Sequence, residues 1–232
     1  MTIIKKYKLF LENKENDVIE KILNNCKPFI ETLKKCEKGK LFYRGTWDDI
    51  DEIKLYKKPK YREPKDTPYE IHEELNYLFE KKFGWKGRDG VFAFSGEGNA
   101  DDYGFSYIFF PIGYSNYLWN PNIDDLYGKY EAEMTEYNLE YDDDDDEELN
   151  DLWEHDCVNC DDKKEKEKFI EDILNTHEKE KNEIFNIIKN IIDDYKSTDI
   201  CNIKTQEIMF NCQEYYLISN DYYDEIYKMI WE

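Results

Sequence analysis

The chain has 232 residues, with 54 acidic against 32 basic side chains and a formal net charge of -22 at pH 7. That balance argues against sequence-independent binding to nucleic-acid phosphates, which needs clustered Lys and Arg, while 20 Tyr and 13 Phe are far too many for a disordered chain. No apolar run is long enough to cross a bilayer, and MTIIKKYKLF lacks the apolar stretch and cleavage site of a secretory signal. A cytoplasmic protein without membrane contact is expected, with its six cysteines reduced.

In chain order, Val18, Ile22, Cys26, Phe29, Leu33 and Cys36 recur at threes and fours, which predicts one helix over Glu15 to Lys38, kinked at Pro28 and ended by Gly39. Leu41 to Gly45 (LFYRG) reads as a short strand, and the Lys- and Pro-rich stretch Lys54 to Asp66 as a loop. Thr67, Pro68 and Glu70 form a helix-start signal for a helix through Phe83 that buries Ile71, Leu75, Leu78 and Phe79. Gly90 to Gly96 (GVFAFSG) and Phe105 to Gly113 (FSYIFFPIG) predict strands around the polar turn EGNADDYG.

Glu131 to Asp162 holds 16 acidic residues and no Lys or Arg, so like-charge repulsion should keep it extended. Lys163 to Tyr195 carries a helical stripe of isoleucines. Glu207 to Asn211 (EIMFN) and Glu214 to Ser219 (EYYLIS) read as a closing hairpin, followed by a short helix with Ile226, Met229, Ile230 and Trp231. The expectation is one α+β domain over 1–232, with residues 131–200 inserted as an acidic loop plus a long helix. The acidic segment also offers a surface for a basic partner.

Three residues stand out by their surroundings. Arg44 follows Phe42 and Tyr43 and precedes Gly45, a setting in which a fork of donors can meet a phosphate while glycine admits a ligand to the backbone. Ser95 ends an apolar strand as Phe-Ser-Gly, and Glu207 stands directly before the apolar run Ile208-Met209-Phe210. Taken singly, each has a bland reading: a surface arginine, a turn serine, a solvated strand-end carboxylate. His155, Cys157 and Cys160 could give a metal three ligands, but no second cysteine pair stands near them, so they read as solvated and no metal site is expected. His72 reads as a surface or packed histidine.

In this order the three residues resemble the Arg-Ser-Glu signature of mono-ADP-ribosyltransferases, and TQEIMFNCQEYYLI is similar to that family's glutamate loop and the strands after it. The stretch Tyr61 to Tyr117 also resembles phage proteins of uncertain role. The resemblance implies a split β-sheet gripping NAD+ as substrate, with Arg44 on the cofactor's phosphate or ribose, Gly45 at the nicotinamide amide, and Ser95 holding the ribose and orienting the acid. Glu207 would bond the ribose 2'-OH, and Tyr103, Phe105 or Tyr107 would stack on the nicotinamide. The resemblance further implies an acceptor, a protein or by default water, positioned by the residues before the glutamate. Those are Thr205 and Gln206 here, where the family often has Glu or Gln at the first position, and Thr205 cannot act as a carboxylate base. Two non-enzymatic alternatives stay open: an acidic decoy that binds a cationic partner, and a fold of this type that has lost catalysis.

Overall fold

In the computed structural model, which describes residues 17–59, 67, 69–114, 116–136 and 178–232, the first helical stripe is two helices. Helix α1 covers 17–25 and α2 covers Lys27–Leu33, separated by Cys26 at φ -115° and ψ 17°. The break precedes Pro28 because proline lacks an N–H and suits the first turn of a new helix better than the middle of an old one. Strand β1 is Tyr43–Thr46, two residues later than LFYRG suggests.

Part of the expected loop at Lys54 to Asp66 is strand β2, Ile53–Lys57, paired along its length with the chain's last strand. Lys54 and Lys57 are exposed on it, and such charge on an edge strand discourages further pairing. Residues 60–66, Pro68, and nearly all of the acidic segment with His155, Cys157 and Cys160 lie outside the described residues.

Helix α3 is Tyr69–Phe83, followed by β3, Val91–Phe94. The stretch EGNADDYG, expected as a turn, holds a short helix α4, Glu97–Asp101, ahead of β4, Phe105–Ile112. Strand β5, Asn116–Trp119, and helix α5, Leu126–Glu136, were not anticipated. Helix α6, Glu178–Asp193, is the described part of the isoleucine-striped helix. The chain closes with β6 (Glu207–Asn211), β7 (Glu214–Ile218) and helix α7 (Tyr223–Trp231). Among the described residues no helix is long and apolar enough to cross a membrane.

The architecture is α+β with one seven-stranded antiparallel sheet in the order β2-β7-β4-β1-β3-β6-β5. Strands β6 and β7 are therefore not a hairpin: β6 lies between β3 and β5, and β7 between β2 and β4. The chain passes from one side of the sheet to the other through Cys212 and Gln213, with the Cys212 N–H turned back onto the Phe210 carbonyl at 3.1 Å. The ladder is continuous on each side, β1 pairing with β4 through four residues and β3 with β6 through four, whereas β1 and β3 share the single pair Tyr43↔Phe94. Backbone pairing is thinnest at that point.

The chain divides into two compact units, Met1–Glu63, Leu75–Asp125 and Asp194–Glu232 in the first, Pro64–Glu74 and Leu126–Asp193 in the second. In sequence the larger part of the second unit falls between β5 and β6, which are sheet neighbours. Within that unit His72 is buried, and Ile187, Ile188, Ile191 and Ile192 bury the apolar stripe of α6.

The core of the first unit packs α1, α2 and α7 against the sheet through Val18, Ile22, Phe29, Leu33, Ile226 and Ile230. Phe210 is its centre, fully buried, with the rings of Phe29, Phe42 and Phe109 at 5.6, 5.9 and 5.1 Å. Edge-to-face and tilted arrangements of this kind add to the burial itself. Cys36 and Cys201 form a disulfide, against the expectation of reduced thiols: the turn after α2 and the turn Ile200–Asn202 converge, leaving their Cα atoms 4.8 Å apart. Cys26 and Cys212 are free and buried, and burial pushes both thiols up to about 12, which suppresses the thiolate.

Phe210→Ala should destabilise the protein by about 3 to 5 kcal/mol, the cost of a large aromatic cavity. Urea unfolding at neutral pH checks this, and a loss below about 1 kcal/mol would contradict the central place given to this ring.

Candidate active site

The signature residues come from β1, the end of β3 and the start of β6, and these three strands are consecutive in the sheet. Register fixes their relation further. Phe94 pairs with Tyr43 on one side and with Glu207 on the other, so Tyr43, Phe94 and Glu207 form one row across the sheet and share a face.

Glu207 is held by the loop before it, where each residue has a partner. Lys40 donates to the Ile203 carbonyl, and the Ser95 hydroxyl to the Lys204 carbonyl. The Gln206 side-chain oxygen accepts from the Lys204 and Thr205 amides at 2.9 and 3.3 Å, and its amide nitrogen donates to the Pro121 carbonyl at 3.4 Å. Asp124 takes two bonds: its carboxylate accepts from the Thr205 hydroxyl at 2.8 Å, and its backbone carbonyl from the Glu207 amide at 3.1 Å. Ser95 thus reaches the glutamate loop, while Thr205 and Gln206 shape it. The disulfide at Cys201 fixes the same segment two residues before Ile203.

The Glu207 side chain is 8% exposed. It pairs with Arg88 of the turn Gly87–Asp89, Nη1 standing 3.9 Å from Oε1 with both side chains buried. Nothing in the isolated sequence marks Arg88, because a Gly-Arg-Asp-Gly stretch reads as a solvated turn. The second ring in the site is Tyr103, half exposed, stacked on Phe94 at 5.3 Å and 19°, with its hydroxyl 3.4 Å from Asp125. Burial first, then Asp125 and Glu207, push the Tyr103 phenol up to about 12. Phe105 is exposed against Trp47, and Tyr107 is buried with its hydroxyl on the Asp48 carbonyl and the Ile50 amide. Of the three rings proposed for stacking, Tyr103 is the one placed beside Glu207.

Arg44 is on β1 next to Tyr43, so its side chain leaves the opposite face from Glu207. There it donates to the Phe92 carbonyl of β3 and lies over the Tyr215 ring at 5.6 Å. Gly45 meets protein rather than open space: a Cβ at this position would stand 2.1 Å from the Ala100 carbonyl and 2.8 Å from Tyr103. Its glycine is required by the approach of α4. A cavity of about 600 Å³ opens beyond it, walled by Trp47 and Phe105 with Asp49, Glu97 and Asp101, and none of Arg44, Ser95 and Glu207 lines it. Its three carboxylates make it unsuited to a phosphate.

Among the described residues no cluster of His, Cys, Asp and Glu could hold a metal ion. No family model matches the chain, and neither a curated protein nor a solved structure does.

The raised Tyr103 pKa sets a direction for alkaline stability. The unfolded phenol ionises near 10 and the folded one near 12, so the contribution is fully present below pH 10 and is lost as pH rises toward 12. Tyr103→Phe should flatten that part of the stability profile, and urea midpoints from pH 9 to 12 would show it; an unchanged slope would contradict the placement of this phenol.

Proposed function

We propose that this protein cleaves the nicotinamide-ribose bond of NAD+ and transfers ADP-ribose to a macromolecular acceptor, as the resemblance to mono-ADP-ribosyltransferases implies. The observation that carries the reading is the adjacency of β1, β3 and β6: Arg44 and Glu207 stand on strands that flank β3, and Ser95, directly after β3, bonds the loop that leads into Glu207, with Arg44 on the opposite face. A generic antiparallel sheet has no need to gather them there. The half-exposed Tyr103 ring beside the buried Glu207 adds a stacking surface next to a carboxylate.

In this reading the nicotinamide ring lies against Tyr103. The bond between its nitrogen and ribose C1' breaks, both electrons leave with the nitrogen, and nicotinamide departs neutral. Positive charge then builds on the ribose. Glu207 accepts a hydrogen bond from the ribose 2'-OH and stabilises that charge, which a preorganised carboxylate does without reorganising at the moment of reaction. The acceptor's nucleophilic atom attacks C1' and releases its proton to solvent water, and with no macromolecule present water itself is the nucleophile. Ser95 orients the acid through the Lys204 carbonyl. Arg44, on the opposite face, ties β1 to the Phe92 carbonyl of β3 and so supports the site from behind without touching the cofactor.

Thr205 and Gln206 are spent on the loop, the first on Asp124 and the second on two amides and a carbonyl. They set the shape of the acceptor side, and neither supplies a base.

Glu207→Gln keeps the size of the side chain and should lower nicotinamide release by roughly 10² to 10³, about 3 to 4 kcal/mol of transition-state stabilisation. The measurement is nicotinamide release from NAD+, together with transfer of labelled ADP-ribose in a lysate. No release and no NAD+ binding by the folded parent would overturn the reading and leave a non-enzymatic role.

A further inference from the structure

We propose that Arg88 is a positioning residue for Glu207, keeping its carboxylate ionised and aimed inside a site where burial alone would favour the neutral acid. The inference rests on the reading of Glu207 as the acid that stabilises the reacting ribose.

A glutamate side chain 8% exposed, with Oε1 fully buried, has lost much of its water, and desolvation of this kind favours protonation. A protonated Glu207 has no charge to set against a cationic ribose. Arg88 corrects this, since a guanidinium stays protonated at every working pH and carries its charge into buried surroundings. Its Nη1 stands 3.9 Å from Glu207 Oε1, within the range over which an opposite charge strongly favours the ionised form.

Arg88 is also locked in place. Its amide donates to Asn76 Oδ1 at 2.9 Å, and Asn76 Nδ2 donates to Asp89 at 3.0 Å, so one fully buried asparagine of α3 grips both sides of the turn. A Cβ on Gly87 would stand 2.9 Å from the Phe79 ring and 3.1 Å from Leu118, so the turn sits as close to the core as glycine allows. From there the guanidinium crosses the Phe92 ring at 5.1 Å on its way to Glu207. Length, planarity and direction all matter along this path, and a surface ion pair needs none of them.

The neighbouring phenols and Asp125 bring no positive charge of their own. Tyr103, after α4, and Tyr195, after α6, are phenols whose pKa values are raised by burial first, with Glu207 among the further causes, and Asp125, after β5, is itself a carboxylate. Phenols donate hydrogen bonds but no charge. Arg88 brings a positive charge to this balance at 3.9 Å.

The test uses the full chain and five forms: parent, Arg88→Lys, Arg88→Met, Glu207→Gln and the double variant Arg88→Met with Glu207→Gln. Nicotinamide release is followed from pH 5 to 9. Arg88→Met should lower kcat at least tenfold at pH 6 with KM changed less than threefold, and should move the acid limb of the profile up by about one unit or more. Arg88→Lys keeps the charge and should return the limb close to its parental position while recovering part of kcat. A merely structural arginine predicts equal losses in both variants and an unmoved limb, and that result overturns the proposal.

Urea unfolding of the same five proteins supplies a readout that needs no turnover. At pH 8 the two substitutions should be non-additive by at least tenfold in the unfolding constant, and at pH 5 by less. If the parent releases no nicotinamide but the coupling is present, the NAD+ reading fails while the buried pair stands. Release by the parent with additive substitutions and an unmoved limb sinks the positioning role alone.

Discussion

The feature on which the rest of this structure depends is the single ladder pair between β1 and β3. Elsewhere in the sheet neighbouring strands share four or five pairs, and here the backbone stops contributing after one. What keeps the two half-sheets together is side-chain chemistry: the Arg44 guanidinium on the Phe92 carbonyl, and the aromatic cluster around Phe210, whose neighbours Phe42 and Phe109 come from the other half-sheet.

Phe92 has an unusual position in this arrangement. Its carbonyl takes Arg44 and its ring carries Arg88, so the two arginines approach the same residue, one through the backbone and one through the ring. The sequence suggested a division of labour in which the strand arginine served the ligand. The structure divides the work otherwise: the strand arginine ties β1 to β3, and the turn arginine stands by the acid. A chain with a net charge of -22 has few cations to spend in its interior, and those that are buried mark places where charge must be balanced.

How much of this was legible in the sequence follows from which signals are local. The apolar strands 91–94, 105–112 and 207–211 and the helical stripes were readable, because alternation and three-to-four spacing are imposed by the geometry of the element itself. The break at Cys26 was misplaced toward Pro28 since proline acts on the residues before it. Strand β2 was hidden by its lysines, which an edge strand tolerates, and β5 by its shortness. The strand order could not be read at all: β6 and β7 are two residues apart in sequence and lie in different half-sheets. Arg44, Ser95 and Glu207 were visible through a pattern of neighbours, whereas Arg88 acquires its surroundings only when α3, β3 and β6 come together.

The bond between Cys36 and Cys201 closes a covalent ring spanning 165 residues, and that ring contains β1 through β5 and the acidic segment. Any single peptide bond cut inside it, at the acidic segment for instance, leaves two pieces that cannot separate in an oxidising medium. The halves also interlock, since β6 and β7 from the later piece are each seated between strands of the earlier one. In a reducing compartment the first restraint disappears and only the second remains. The same nicked molecule would then be one particle or two according to how well the sheet alone holds its strands, so integrity of the backbone and integrity of the protein are separate properties of this fold.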